Sequence, residues 1–219
     1  MDSVIGAQES DMGRDLWDRL PGSAHYGHTY ETKRRLASYW HQVDECLALG
    51  AKSVLVVGVG SGLVPLLLKQ RGVDVTTMDI QIELRPRLVG NVCQLPFVER
   101  SFDAVVCCQV LEHMPFEFFA PSLCELKRVI RVGLVLSLPD RGRYSKIIPH
   151  LVRRRVVLDL PTFRLKPWVF NGEHYWEVNT CGYRLAHIQR TIDSTGLKTE
   201  KTFRVWELPY HRFWRLRLE

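Results

Sequence analysis

Val54-Leu55-Val56-Val57, followed at once by Gly58-Val59-Gly60-Ser61-Gly62, constrains this chain more than any other stretch. Four β-prone apolar residues in a row suit a strand buried on both faces, as in a parallel sheet covered by helices. A helical pattern runs from Leu63 to Arg71, which leaves the glycines as the turn between strand and helix. Strand, glycine turn and helix in this order make the nucleotide-cradling corner of a doubly wound α/β sheet. Glycine suits that corner because a side chain would hold a ligand's polar atoms away from the backbone N–H groups. The third glycine lets the helix pack close to the strand.

At 219 residues the chain fits one α/β domain with an extension or insertion. A helix is expected from about Thr32, with Leu36, Tyr39, Trp40, Val43 and Leu47 at helical spacing and Gly50 as its stop. His25, Tyr26, His28 and Tyr30 lie just before it. Val73–Asp79 reads as the second strand, Leu88-Val89 as a short third and Val105–Cys108 as the fourth, topped by Gln109. A helix lined by Leu123, Leu126, Val129 and Ile130 is expected to stop at Gly133, ahead of a fifth strand at Leu134–Leu138. Residues 140–178 break this rhythm; they are basic and aromatic, with prolines at 149, 161 and 167, and are too long for a plain loop. Helical spacing returns at Leu185, Ile188 and Ile192, ended by Gly196, and alternation at Phe203-Arg204-Val205 and from Trp214 to Leu218 suggests a closing hairpin.

Net charge is +6, and the basic excess sits late, at Arg141, Arg143, Lys146, Arg153, Arg154, Arg155, Arg212, Arg215 and Arg217. That fits a solvated surface, an anionic substrate or a nearby acidic membrane surface, and it is too modest to point to nucleic acid. The six cysteines, at 46, 93, 107, 108, 124 and 181, form no C-x-x-C pair, and no Cys/His cluster has zinc spacing. No metal site is therefore expected, and the thiols read as reduced, mostly buried groups of a cytoplasmic protein. The first twenty residues have no apolar core, so no signal peptide is expected, and no apolar run reaches membrane-spanning length.

Gly58, Gly60 and Gly62 keep a Gly-x-Gly-x-Gly spacing, one residue tighter than the dinucleotide fingerprint. Downstream come Leu95-Pro96-Phe97, Ser101-Phe102-Asp103, an apolar strand, and Leu111-Glu112-His113-Met114-Pro115. From Val54 to Pro139 this resembles the class I S-adenosylmethionine-dependent methyltransferases, within their type 11 group. The resemblance implies a Rossmann-like α/β fold: a seven-stranded, mostly parallel sheet with an antiparallel last strand and helices on both faces. It divides the chain into a tail and leading helix (1–50), an S-adenosylmethionine-binding core (51–139), an inserted substrate lid (140–181), and a C-terminal helix with closing hairpin (182–219). It implies S-adenosylmethionine as cofactor and a small-molecule acceptor, anionic or partly hydrophobic, with the acceptor atom and oligomeric state open.

Site residues follow from the same resemblance. Gly58, Val59, Gly60 and Gly62 shape the cofactor loop. Asp79, with Ile80 beside it, takes the ribose, as the acidic residue after a dinucleotide loop does. Asn91 and Val92 flank the adenine, where many relatives carry Asp, and an amide can donate to and accept from a purine edge. Gln109 borders the methionine end, and Tyr26 and Tyr30 are candidate covers. Weak candidates for a base are His113, which also reads as part of a helix start, and His174 and Glu173 in the run Gly172-Glu173-His174-Tyr175-Trp176-Glu177. Trp168, Phe170, Tyr175 and Trp176 suit an acceptor wall or an anchor for the lid. Val56 stands where relatives usually have Asp or Glu for the cofactor's amino group. That departure favours the alternative, a non-catalytic protein of the same fold that holds S-adenosylmethionine or S-adenosylhomocysteine. The glycine spacing and the Leu-Glu-His-x-Pro segment argue against a nicotinamide oxidoreductase, and no segment typical of nucleic-acid methyltransferases follows the fourth strand.

Overall fold

The computed structural model describes residues 30–148, 155–160, 165 and 167–218. Tyr26, His25 and His28 lie outside them. The chain begins with α1 (Lys33–Ala48), capped by the Thr32 hydroxyl, which accepts from Arg35 N at 3.3 Å. Then follow β1 (Ser53–Val57), α2 (Leu63–Gln70), β2 (Asp74–Asp79), β3 (Leu88–Val89), β4 (Phe102–Cys108), α3 (Phe119–Val129) and β5 (Ile130–Pro139). A small hairpin, β6 (Tyr144–Ile147) and β7 (Val156–Asp159), precedes α4 (Leu185–Ser194), β8 (Leu197–Arg204) and β9 (His211–Leu218).

Seven strands form one sheet in the order β3-β2-β1-β4-β5-β9-β8. The strands from β1 to β5 pair in parallel, and β9 runs antiparallel to both β5 and β8. This is the expected sheet. Chain order reverses between β1 and β4, which opens a crevice at the carboxyl ends of these strands. The central strands are buried on both faces, and their residues alternate between two cores. Leu55, Val57, Val105 and Cys107 join the cluster under α3 and α4, while Val54, Val56, Ala104 and Val106 join the cluster under α1 and α2. Cys107 and Cys108 accordingly face opposite sides. All six cysteines are free, and Cys124 and Cys181 are exposed.

Gly133, expected as the stop of a helix, lies instead inside β5, because α3 already ends at Val129. Its lack of a side chain answers a close approach. A Cβ there would press on the Leu216 carbonyl of β9 and come within 2.8 Å of Leu49 Cδ2.

The segment between β5 and α4 is fastened to the sheet by an ion network in which Asp140, Arg204 and Arg212 are buried and Asp159 is exposed. Asp140, at the end of β5, takes Arg212 Nε at 2.6 Å and Arg204 Nη2 at 2.7 Å. Asp159 of β7 bridges the same two guanidiniums, at 2.7 Å from Arg204 Nε and 2.5 Å from Arg212 Nη2. Further along, Trp176 is fully buried in the core and donates to the Met114 carbonyl at 3.0 Å. Trp176 is therefore an anchor for the insertion and no part of an open wall.

The leading helix is tied to the far end of the chain. Ser38 Oγ of α1 meets His211 Nδ1 of β9 at 2.8 Å in a buried contact. Burial pushes the His211 imidazole down from 6.5 to about 3, helped by the nearby Arg35 and His174. The folded chain thus keeps His211 neutral where the unfolded chain protonates it. Stability from this group is full above about pH 6.5 and falls as pH drops toward 3.

Two outcomes are expected. Gly133→Ala should lower stability by about 1–3 kcal/mol, read as a drop in the urea midpoint, because the added carbon meets backbone; an unchanged midpoint would contradict the packing. Between about pH 5.5 and 4, urea unfolding should lose about 1.4 kcal/mol per pH unit from His211 alone. His211→Asn should flatten that slope by this amount, and an equal slope in both proteins would contradict the assignment.

Candidate functional site

The glycine turn is built from left-handed backbone. Gly58, Gly60 and Gly62 have φ of 81°, 54° and 79°, a region that residues with a Cβ enter at a cost. At Gly58 a side chain would also collide with Val110. Gly62 serves as the N-cap of α2 without a side-chain hydrogen bond, while Gly58, Val59, Gly60 and Ser61 line a cleft. That cleft encloses about 1040 Å³, open solvent at its mouth included, above the carboxyl ends of β1, β2 and β4.

Asp79 ends β2 and faces the cleft, with little exposure. Its Oδ2 accepts from Val59 N at 2.7 Å, and its Oδ1 accepts from Gln81 N at 3.0 Å. Burial raises its carboxyl above the usual range, and the backbone N–H groups of Gln81, Val59 and Ile80 oppose that rise. Each carboxylate oxygen can accept a second hydrogen bond, so capacity for a ligand's hydroxyls remains. Ile80 and Gln81 continue the same wall.

Asn91 and Val92 line the next part of the cleft. Asn91 Oδ1 is committed to Cys93 N at 2.9 Å, which leaves its NH₂ as the group to offer a ligand. Gln109 lines the cleft from the top of β4 in the left-handed region, φ 57°, and its Nε2 donates to Ser137 Oγ at 3.1 Å. Val56 is 2% exposed in the core beneath α1 and does not line the cleft; its neighbour Val57 does.

Helix α1 closes the other side. Tyr30, Arg35, Tyr39 and Gln42 line the cleft. Arg35 Nη1 donates to Tyr30 OH at 2.7 Å, and its guanidinium carbon lies 3.7 Å from the Tyr30 ring centre. Burial pushes the Tyr39 hydroxyl up to about 12. Sequence reasoning missed Arg35 and Gln42 as site residues, although positions 35, 39 and 42 share one helix face. It also missed His211, which lines the cleft from the last strand and gives no local signal.

Of the three candidate bases, only His113 lines the cleft. His174 stands behind it, the ring centres 4.8 Å apart and nearly perpendicular. The Glu173 side chain is exposed and brings only its carbonyl, 3.0 Å from His113 Nδ1. His174 Nδ1 pairs with Glu177 Oε1 at 2.8 Å. Burial alone would lower the His174 pKa, but the Glu177 hydrogen bond and the neighbouring carboxylates raise it on balance. Glu112 is fully buried, and burial pushes its carboxyl up to about 7 against the pull of His174. Trp168, Phe170, Tyr175 and Trp176 do not line the cleft; Trp168 Nε1 donates to the His174 carbonyl at 3.2 Å, and Phe170 packs on Tyr175 with ring centres 4.5 Å apart. Of the four, Trp176 is the fully buried anchor.

Comparison with known proteins agrees with this geometry. The methyltransferase-domain family model matches residues 55–137. The ubiquinone biosynthesis O-methyltransferase of Psychrobacter arcticus is 28% identical over 159 residues, which cover 54% of this chain and 62% of that protein. The match thus spans less than two thirds of that relative. Among solved structures, magnesium protoporphyrin IX methyltransferase from Synechocystis PCC 6803, with bound S-adenosylmethionine, superposes with a TM-score of 0.60 at 18% identity, covering 94% of this chain and 91% of that one. The 1,6-didemethyltoxoflavin-N1-methyltransferase of Burkholderia thailandensis, with bound 1,6-didemethyltoxoflavin and S-adenosylhomocysteine, gives a TM-score of 0.58 at 16% identity, covering 98% of this chain and 85% of that one. Residues 55–137 thus match the methyltransferase-domain family model, and the glycine loop, strand-end carboxylate and reversed sheet order belong to a chain with the class I S-adenosylmethionine-dependent methyltransferase fold.

Proposed function

We propose that the chain transfers a methyl group from S-adenosylmethionine to a small-molecule acceptor. One observation carries this reading: the glycine loop, Asp79, Asn91, Val92 and Gln109 all border a single cleft at the carboxyl ends of the parallel strands. The groups present fit the cofactor's parts. Asp79 accepts from ribose hydroxyls with its second lone pairs, held in place by Val59 N and Gln81 N. Asn91 donates its NH₂ to the purine edge, and Val92 supplies an apolar face. Gln109 borders the methionine end, and Arg35, reaching in from α1, supplies the cation for its carboxylate. Arg35 thereby gives that end a polar anchor, though Val56 offers none.

S-adenosylmethionine, when bound, supplies an electrophilic methyl on a positively charged sulfur. The protein's task is to align an acceptor with it and exclude water. Alignment of this kind is worth ~7–11 kcal/mol of the barrier. Val57, Val64, Val92 and Met114 give the cleft an apolar lining that suits this. We assign the acceptor to the His113 side, where the inserted segment closes on the turn after β4 through Tyr175 N, which donates to the Glu112 carbonyl at 2.8 Å. Residues 140–181 then act as the lid over the acceptor. The names of the relatives, a ubiquinone-pathway O-methyltransferase and enzymes for a toxoflavin precursor and a porphyrin, support a small, ring-bearing acceptor that is partly hydrophobic. Unpaired cysteines support a reducing, cytoplasmic setting. No helix among the described residues is long and apolar enough to cross a membrane.

Calorimetry with S-adenosylhomocysteine checks the cofactor half of this reading. The wild-type chain should bind it, and Asp79→Ala should weaken binding at least ~10-fold, a loss of about 1.4 kcal/mol. Asp74→Ala, at the exposed opposite end of β2, should leave affinity unchanged. Folded protein that binds neither S-adenosylmethionine nor its product would contradict the proposal. Methyl transfer itself is read by mass spectrometry across a panel of phenols, catechols and ring nitrogen heterocycles.

A further inference from the structure

Along the chain no spacing suggests a metal site, yet the fold brings one carboxylate and two imidazoles together. Glu112 and His113 stand on the single 3₁₀ turn Leu111–His113 after β4, and His174 comes from the inserted segment. Each offers one ligand atom, and these atoms lie within 4.8 Å of one another. Neighbouring ligand atoms around a tetrahedral zinc ion sit roughly 3.4 Å apart, so closing on an ion asks for side-chain movement on the order of 1 Å.

A second observation is independent of that clustering. The Glu112 side chain is fully buried, and neither of its carboxylate oxygens has a hydrogen-bond partner among the described residues. A buried carboxylate without a donor is unfavourable, and an apolar side chain would fill the same space at less cost. His174 attracts Glu112 electrostatically, yet the two share no hydrogen bond. A cation between the carboxylate and the imidazoles satisfies it.

The histidines are also braced from behind. His174 Nδ1 bonds Glu177 Oε1 at 2.8 Å, which leaves Nε2 as its ligand atom, and His113 Nδ1 meets the Glu173 carbonyl at 3.0 Å. Glu177 is itself fixed by Tyr210 OH at 2.5 Å and by Arg141. A carboxylate or carbonyl on the far ring nitrogen is the support that metal-ligating histidines carry, since it sets tautomer and ring orientation.

We propose that Glu112, His113 and His174 bind a divalent first-row transition ion at the wall of the cleft. Two imidazoles and one carboxylate suit Zn²⁺, Fe²⁺ or Co²⁺ over Mg²⁺ or Ca²⁺, which favour all-oxygen sites. Three protein ligands leave a position open, and His113 places it on the cleft side. The site stands without the methyl-transfer reading; its use, to orient an acceptor hydroxyl, rests on that reading.

The test uses the full chain, stripped with chelator and titrated with Co²⁺ by visible absorption, then with Zn²⁺ by calorimetry. One ion per chain is expected. Glu112→Gln and His174→Gln should each weaken binding at least ~10-fold, and Glu177→Gln, one shell further out, by about 10–100-fold. His187→Gln, outside the cluster, should change nothing. Circular dichroism and melting curves establish that each variant is folded; if Glu112→Gln is not, the His174 and Glu177 variants decide. Absence of saturable binding by folded wild type at millimolar ion, or equal affinity in His174→Gln, overturns the proposal. S-adenosylhomocysteine binding is measured on the same stripped sample, so a metal failure with intact nucleoside binding sinks this inference alone.

Discussion

The Asp79 carboxylate holds the site together. One oxygen takes Val59 N of the glycine loop and the other takes Gln81 N beyond the strand end. Those bonds fix a turn whose three glycines all sit in left-handed backbone, a conformation that has little stiffness of its own. They also join β1 and β2 across the crevice. A single buried acid thus shapes the loop and, in the proposed function, meets the sugar. Its raised carboxyl pKa is the counterpart of that burial.

Around this point the sheet supplies rigidity and the loops supply chemistry. Strands β1 and β4 are buried on both faces, so the residues that follow them, Gly58 and Gln109, start from fixed positions. Helix α1 adds polar groups from the side and is tied back to β9 through Ser38 and His211. The segment between β5 and α4 is riveted by Asp140, Asp159, Arg204 and Arg212, and this pairing compensates the three buried charges, Asp140, Arg204 and Arg212. Its return leg then brings His174 and Glu177 against the turn after β4.

Much of the fold was legible in local pattern. The run Val54–Val57 with its glycines, the strand ending at Asp79 and the alternation after Trp214 each announce an element through periodicity or turn chemistry. Gly133 misled, because a glycine near a helix end reads as a stop, whereas this one answers the approach of β9 from the far end of the chain. The same limit governs the cleft. Gly58, Asp79, Asn91 and Gln109 sit at strand ends and can be found by counting. Arg35 and His211 arrive through tertiary packing, which no window of sequence reveals. The aromatic run at 168–176 looked like a binding wall because large rings serve cores and sites alike; burial of Trp176 decides for the core.

A crystal structure of the protein grown with S-adenosylhomocysteine is the most direct measurement. The account predicts both ribose hydroxyls within hydrogen-bond distance of Asp79, the adenine beside Asn91 and Val92, and the amino-acid end toward Gln109 and Arg35. A ligand seated elsewhere, or one bound in the cleft with Asp79 making no contact to it, would contradict the account.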